Sequence, residues 1–171
     1  EAAAILETDD DHAMLDQIRG AVIAAGTKVS TRRAMQCLDY VKGVAWLAGS
    51  GCVRDEHWMS LADCLWREPK DRPAILQIVG KISNPALIQA IELHDAAREL
   101  VGDATRKEGE ATFAWSIRAG QNYAELEKVG RKLATLSAER PDNIGVRERL
   151  DQVRTMAVNL KREALASANL L

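Results

Sequence analysis

From Val146 the apolar residues of this chain advance through Leu150, Val153, Ala157, Leu160 and Ala164, in steps of 4-3-4-3-4. A period near 3.5 lines all of these side chains along one seam of a helix, whereas a strand would alternate them between two faces. A second seam, Leu126, Val129, Leu133 and Leu136, steps 3-4-3. Between the seams stands Arg140-Pro141-Asp142-Asn143, a turn short enough that the two helices must lie antiparallel. Such a hairpin needs cover for its second face. The helix opened by Pro85, carrying Leu87, Ile88, Ile91, Leu93 and Leu100, is the expected cover, with a partner protein as the alternative.

The same period runs through the first half. Thr8 and the acidic residues Asp9, Asp10 and Asp11 suit a helix start, and Gly26 suits its end. Ser30 or Thr31 caps a second helix whose apolar face reads Ala34, Cys37, Leu38, Val41, Ala45 and Ala48, ending at Gly49-Ser50-Gly51. Asp55 opens a short third helix burying Trp58, Leu61, Ala62 and Leu65, which Pro69 stops. A fourth is expected from Asp71 to Ile82, and Gly102-Asp103 marks a break after the fifth. No alternating strand pattern of useful length occurs, so the expected fold class is all-α. It comprises a small bundle of short helices over residues 1–68 and a longer-helix antiparallel, three-helix bundle over residues 69–171.

Composition narrows function by exclusion. Apolar residues make up 47% of the chain but aromatics only 4%, the alanine-rich bias of closely packed helices. The net charge of −2, with both signs intermixed, argues against nucleic-acid or membrane binding. No apolar run approaches the roughly 20 residues that span a bilayer, and no signal peptide precedes the first helix. Cys37, Cys52 and Cys64 are an odd number without a C-x-x-C pair, which points to reduced, mostly buried thiols and a cytoplasmic location. The first residue, Glu1, leads us to expect that the chain begins inside a longer protein.

Few residues suggest chemistry. Asp9 to Asp11 read as a helix start rather than a cation site, and no metal site is expected. Cys52, His57 and Cys64 lack a fourth ligand and zinc spacing. His94, near Glu92 and Asp95, reads as a surface histidine. Trp46, Trp58, Trp66 and Trp115 read as core anchors. Arg32 and Arg33 stand out, because positive charge at a helix N-terminus is mildly unfavourable and invites another explanation.

The series Ser30-Thr31-Arg32-Arg33, a long helix to Gly49, Val53, and then Asp63-Cys64-Leu65-Trp66 resembles the lid of the MoxR family of AAA+ ATPases, in its RavA-like branch. The resemblance covers roughly residues 9–68. It implies that Arg32 matches the sensor-2 arginine, a catalytic and nucleotide-binding residue, with Arg33 as the adjacent alternative. It also implies ATP and Mg²⁺ bound mainly by a core outside these residues, since the chain has no G-x-x-x-x-G-K-[ST] loop and no Walker B strand. This segment alone is therefore not expected to be an enzyme. Further implications are a homo-hexamer that remodels other proteins and a partner bearing a von Willebrand factor A domain. The competing expectation is a stand-alone helical adaptor with no nucleotide dependence.

Overall fold

In a computed structural model, which describes Ile5 and residues 8–167, the chain is all-α, with no strand among the described residues. It divides into two compact units, one ending at Ile88 and the other beginning at Gln89.

The first unit opens with α1 (Asp9–Ala24). Thr8 caps it: its Oγ1 accepts from Asp11 N at 3.2 Å, while Asp11 Oδ2 accepts from Thr8 N at 3.0 Å. The acidic run is therefore a capping box. α2 (Thr31–Leu47) starts at Ser30, whose Oγ accepts from Arg33 N at 3.2 Å. Both helices end on a glycine with positive φ, Gly26 at 96° and Gly49 at 71°, a backbone state that β-carbon-bearing residues resist. Past each glycine the next amide reaches back over the last turn, Thr27 N to Val22 O and Ser50 N to Ala45 O. Two one-turn helices follow, α3 (Asp55–Trp58) and α4 (Leu61–Cys64), then a 3₁₀ turn at Pro69–Asp71 and α5 (Arg72–Ser83).

The third helix expected from Asp55 is thus broken in two. Ser60 N and Asp63 N both bond three residues back, to His57 O and Ser60 O, tightening the chain at Met59-Ser60. Ile18, Leu38, Val41, Leu61, Leu65, Ile75 and Val79 form the sealed centre of the core. Ile75 and Val79 lie on α5, so the compact unit extends well past residue 68, where the change from short to long helices in the sequence put the expected boundary. Trp58 is buried and Trp66 is packed against the same core, but Trp46 is 52% exposed. The expectation that Trp46 anchors the core fails. It follows Ala45 by about 100° around α2, which turns it off the buried stripe of Ala34, Cys37, Leu38, Val41 and Ala45.

α6 (Pro85–Ala104) opens at Pro85 as expected and runs through Gly102 to Ala104. The second unit takes in most of α6 together with α7 (Thr112–Glu139) and α8 (Ile144–Ser167). α7 and α8 form the antiparallel hairpin, with Leu126, Leu133, Val146 and Val153 almost wholly buried along the predicted seams. α6 supplies the third helix. Its Leu100 O accepts from Asn122 Nδ2 at 3.0 Å, and Ala104 O accepts from the buried Trp115 Nε1 at 2.8 Å. Arg118 fastens the connection between α6 and α7 by donating to Asp103 O, Thr105 O and the Glu110 carboxylate.

Leu133→Ala removes three carbons from a fully buried site, so it should lower unfolding free energy by about 2–5 kcal/mol. A urea titration that shows no shift in midpoint would place Leu133 outside the core. His57 offers a pH test. Its Nδ1 accepts from Arg54 N at 3.0 Å, and burial holds its pKa below the ordinary value of 6.5. The unfolded chain therefore takes up this proton first. Stability contributed here is present above about pH 6.5 and should be lost as pH falls below it. His57→Asn should flatten that loss in denaturation midpoints measured between about pH 7 and pH 5.

Candidate functional site

The residues singled out by sequence meet at the start of α2. The loop leading to it is held by Val29, whose side chain is buried and whose carbonyl accepts from Arg19 Nε at 3.2 Å. Ser30 then turns the chain into the helix. Thr31, Arg32 and Arg33 occupy its first turn, where amides lack helical partners and the macrodipole is positive.

The two arginines have different roles. Arg33 is half-buried, and its guanidinium donates to the carbonyl of Cys64 from Nε at 3.2 Å and from Nη2 at 2.8 Å. Nη2 also donates to Trp66 O at 3.1 Å. Those carbonyls close the exit of α4, where no further helical turn exists to satisfy them. The charge at this helix start is thus explained by two carbonyls 31 and 33 residues away in sequence. Arg32 is exposed and has no hydrogen bond or ion pair among the described residues. Its guanidinium is available for an oxyanion ligand, and Arg33 is committed to the protein.

Each residue of Asp63-Cys64-Leu65-Trp66 has a physical task. Asp63 Oδ1 accepts from Arg72 Nη2 at 2.7 Å, an exposed ion pair joining α4 to α5. Leu65 is sealed in the core. Cys64 and Trp66 provide the acceptors for Arg33, and the indole of Trp66 packs on the core edge with its N–H buried and unbonded among the described residues. Cys64 also lies against Cys37 of α2, whose Sγ donates to Cys64 O at 3.9 Å. The Cys64 thiol donates to Leu61 O at 3.6 Å. The neighbouring Cys64, with help from Arg33 and against burial, holds the Cys37 pKa down to about 7. Cys64 is pushed up, first by its Cys37 neighbour and then by burial. Sequence reasoning noted each cysteine but not the pairing, because 27 residues separate them and only the packing of α4 on α2 joins them.

Cys52 is exposed, unlike the other two thiols. No group of three or more His, Cys, Asp or Glu side chains among the described residues is arranged to hold a metal ion. His94 is partly buried, with Nδ1 3.6 Å from Asp95 Oδ1. No helix among the described residues is long and apolar enough to cross a membrane.

Replacing Arg33 by Ala leaves two carbonyls without their donor, a loss of about 2 kcal/mol for hydrogen bonds to a charged group. Thermal unfolding should show it, and Arg33→Lys should recover less than half, since a single ammonium cannot reproduce the planar fork. Full recovery by Lys would mean that charge alone matters.

Residues 12–79 match the family model described as AAA lid domain. The matched segment runs from α1 into α5 and supports the reading of the first unit as a C-terminal lid of an AAA+ ATPase. Searches of curated proteins and of solved structures found no match to this chain.

Proposed function

We propose that this chain is the lid and C-terminal helical region of a MoxR-type, RavA-like AAA+ ATPase, coupling ATP binding and hydrolysis in a hexamer to remodelling of a partner protein. The observation that carries the reading is the exposed, uncommitted guanidinium of Arg32 in the first turn of α2, inside a segment that matches an AAA lid. Arg32 is the sensor-2 residue of this reading. A permanently charged planar group with several N–H donors suits two oxygens of a γ-phosphate and the charge that develops as it is transferred.

The neighbouring residues make Arg32 a presented group. Ser30 fixes the first turn, Val29 and Arg19 fix the loop before it, and Arg33 ties the same turn to α4. The backbone that carries Arg32 is thus fixed in place, and only its side chain is left to order on reaching a ligand. ATP and Mg²⁺ belong to a nucleotide-binding core joined to this lid, and ATP supplies the phosphoryl group transferred to water. The lid's own part is to position Arg32 at that nucleotide, on its own subunit or a neighbouring one. A von Willebrand factor A-domain protein is the proposed partner, and the cytoplasm the proposed location.

In the protein joined to its nucleotide-binding core, Arg32→Ala should reduce steady-state ATP turnover by on the order of 10³-fold. The unfolding temperature should stay unchanged, because Arg32 is exposed and makes no hydrogen bond or ion pair among the described residues. Unchanged turnover would remove Arg32 from the site and favour the stand-alone adaptor reading, in which binding to a partner survives its loss.

A further inference from the structure

The contact between Cys37 and Cys64 belongs to no nucleotide chemistry. Cys37 is buried on α2 at 4% exposure, and Cys64 is half-buried at the last residue of α4. The Cys37 sulfur sits 3.9 Å from the Cys64 carbonyl, and the Cys64 thiol faces its own helix, donating to Leu61 O at 3.6 Å. The Arg33 guanidinium lies over the same carbonyl. Two cysteines brought together across two helices, beside a fixed positive charge, form an arrangement in which a thiolate has a resolving partner at hand.

We propose that Cys37 and Cys64 are a redox pair that a hydroperoxide converts to a disulfide fastening α4 to α2. The Cys37 thiolate attacks one peroxide oxygen. An S–O bond forms, the O–O bond breaks and hydroxide leaves, so Cys37 becomes a sulfenic acid. Cys64 then loses its proton to hydroxide and attacks the Cys37 sulfur. The S–S bond forms as the S–O bond breaks, and the departing hydroxide takes up the proton that Cys37 released on ionising and leaves as water. Two thiols are oxidised, one peroxide is reduced, and two waters are produced.

The order of the two steps follows from the neighbours. Arg33 and the neighbouring Cys64 favour negative charge on Cys37, whereas that charge opposes ionisation of Cys64. Oxidation of Cys37 to a neutral sulfenic acid removes this opposition and frees Cys64 to resolve it. Access comes from the exit of α4, where Cys64 is only half-buried. Once formed, the bond makes permanent a contact that Arg33 otherwise maintains through hydrogen bonds. The proposal is independent of the nucleotide role of Arg32, and its test reads the bond itself.

The chain carries its own mapping scheme, because trypsin separates the three cysteines. Cleavage after Arg33, Lys42, Arg54 and Arg67 places Cys37 in residues 34–42, Cys52 in 43–54 and Cys64 in 55–67. The folded 171-residue chain is treated with hydrogen peroxide, alkylated with N-ethylmaleimide, digested without reductant and analysed by mass spectrometry. The expected product is the 34–42 peptide joined to the 55–67 peptide, two hydrogens lighter than their sum, reversed by dithiothreitol and undiminished in Cys52→Ala. Its rate of formation should rise as pH increases through about 7, where Cys37 ionises. Cys64→Ala should instead leave Cys37 as a sulfenic acid trapped by dimedone. If that variant does not fold, the wild-type peptide map still decides. Alkylation of both Cys37 and Cys64 after peroxide, or cross-links only through Cys52, would overturn the proposal.

Discussion

The first unit depends on the guanidinium of Arg33 reaching the carbonyls of Cys64 and Trp66. α4 is one turn long, too short to sustain itself by its own ladder of hydrogen bonds. Its exit carbonyls point where no further turn can use them, and burial would make them costly without a donor. A permanently charged, forked donor mounted on a long helix meets both needs. The chain can then leave through Trp66, turn at Pro69–Asp71 and send α5 back into the core with Ile75 and Val79.

The same anchoring defines the opposite side of α2. Its first turn is held by Ser30 below, by Val29 and Arg19 ahead of it, and by Arg33 across to α4. Adjacent side chains on a helix diverge by about 100°, so fastening Arg33 inward directs Arg32 outward. The committed arginine and the available one therefore form a single device. The first supplies rigidity, and the second is left on the exposed side of the same fixed turn.

Much of this was legible in the sequence. The seams Leu126 to Leu136 and Val146 to Ala164, the Thr8 and Ser30 caps, the stops at Gly26 and Gly49 and the start at Pro85 all rest on local rules of period and termination, and they stand where those rules put them. What escaped was non-local. Arg33 looked like a spare catalytic arginine because its acceptors lie some thirty residues downstream. Trp46 looked like a core anchor because its size suits burial, yet one step around α2 turned it to solvent. α3 and α4 looked continuous because their apolar residues keep helical spacing, while the backbone tightens at Met59-Ser60.

The sequence by itself determined that this chain is helical, where most of its helices begin and end, and that a capped first turn bearing two arginines lies at the head of α2. Those features follow from backbone geometry, side-chain period and capping chemistry, all of which act over a few residues. Only the tertiary structure decided which arginine is bound and which is available, that Cys37 meets Cys64, and that α5 belongs with the first unit. These outcomes depend on which surfaces pack together, and packing joins residues that no local rule relates.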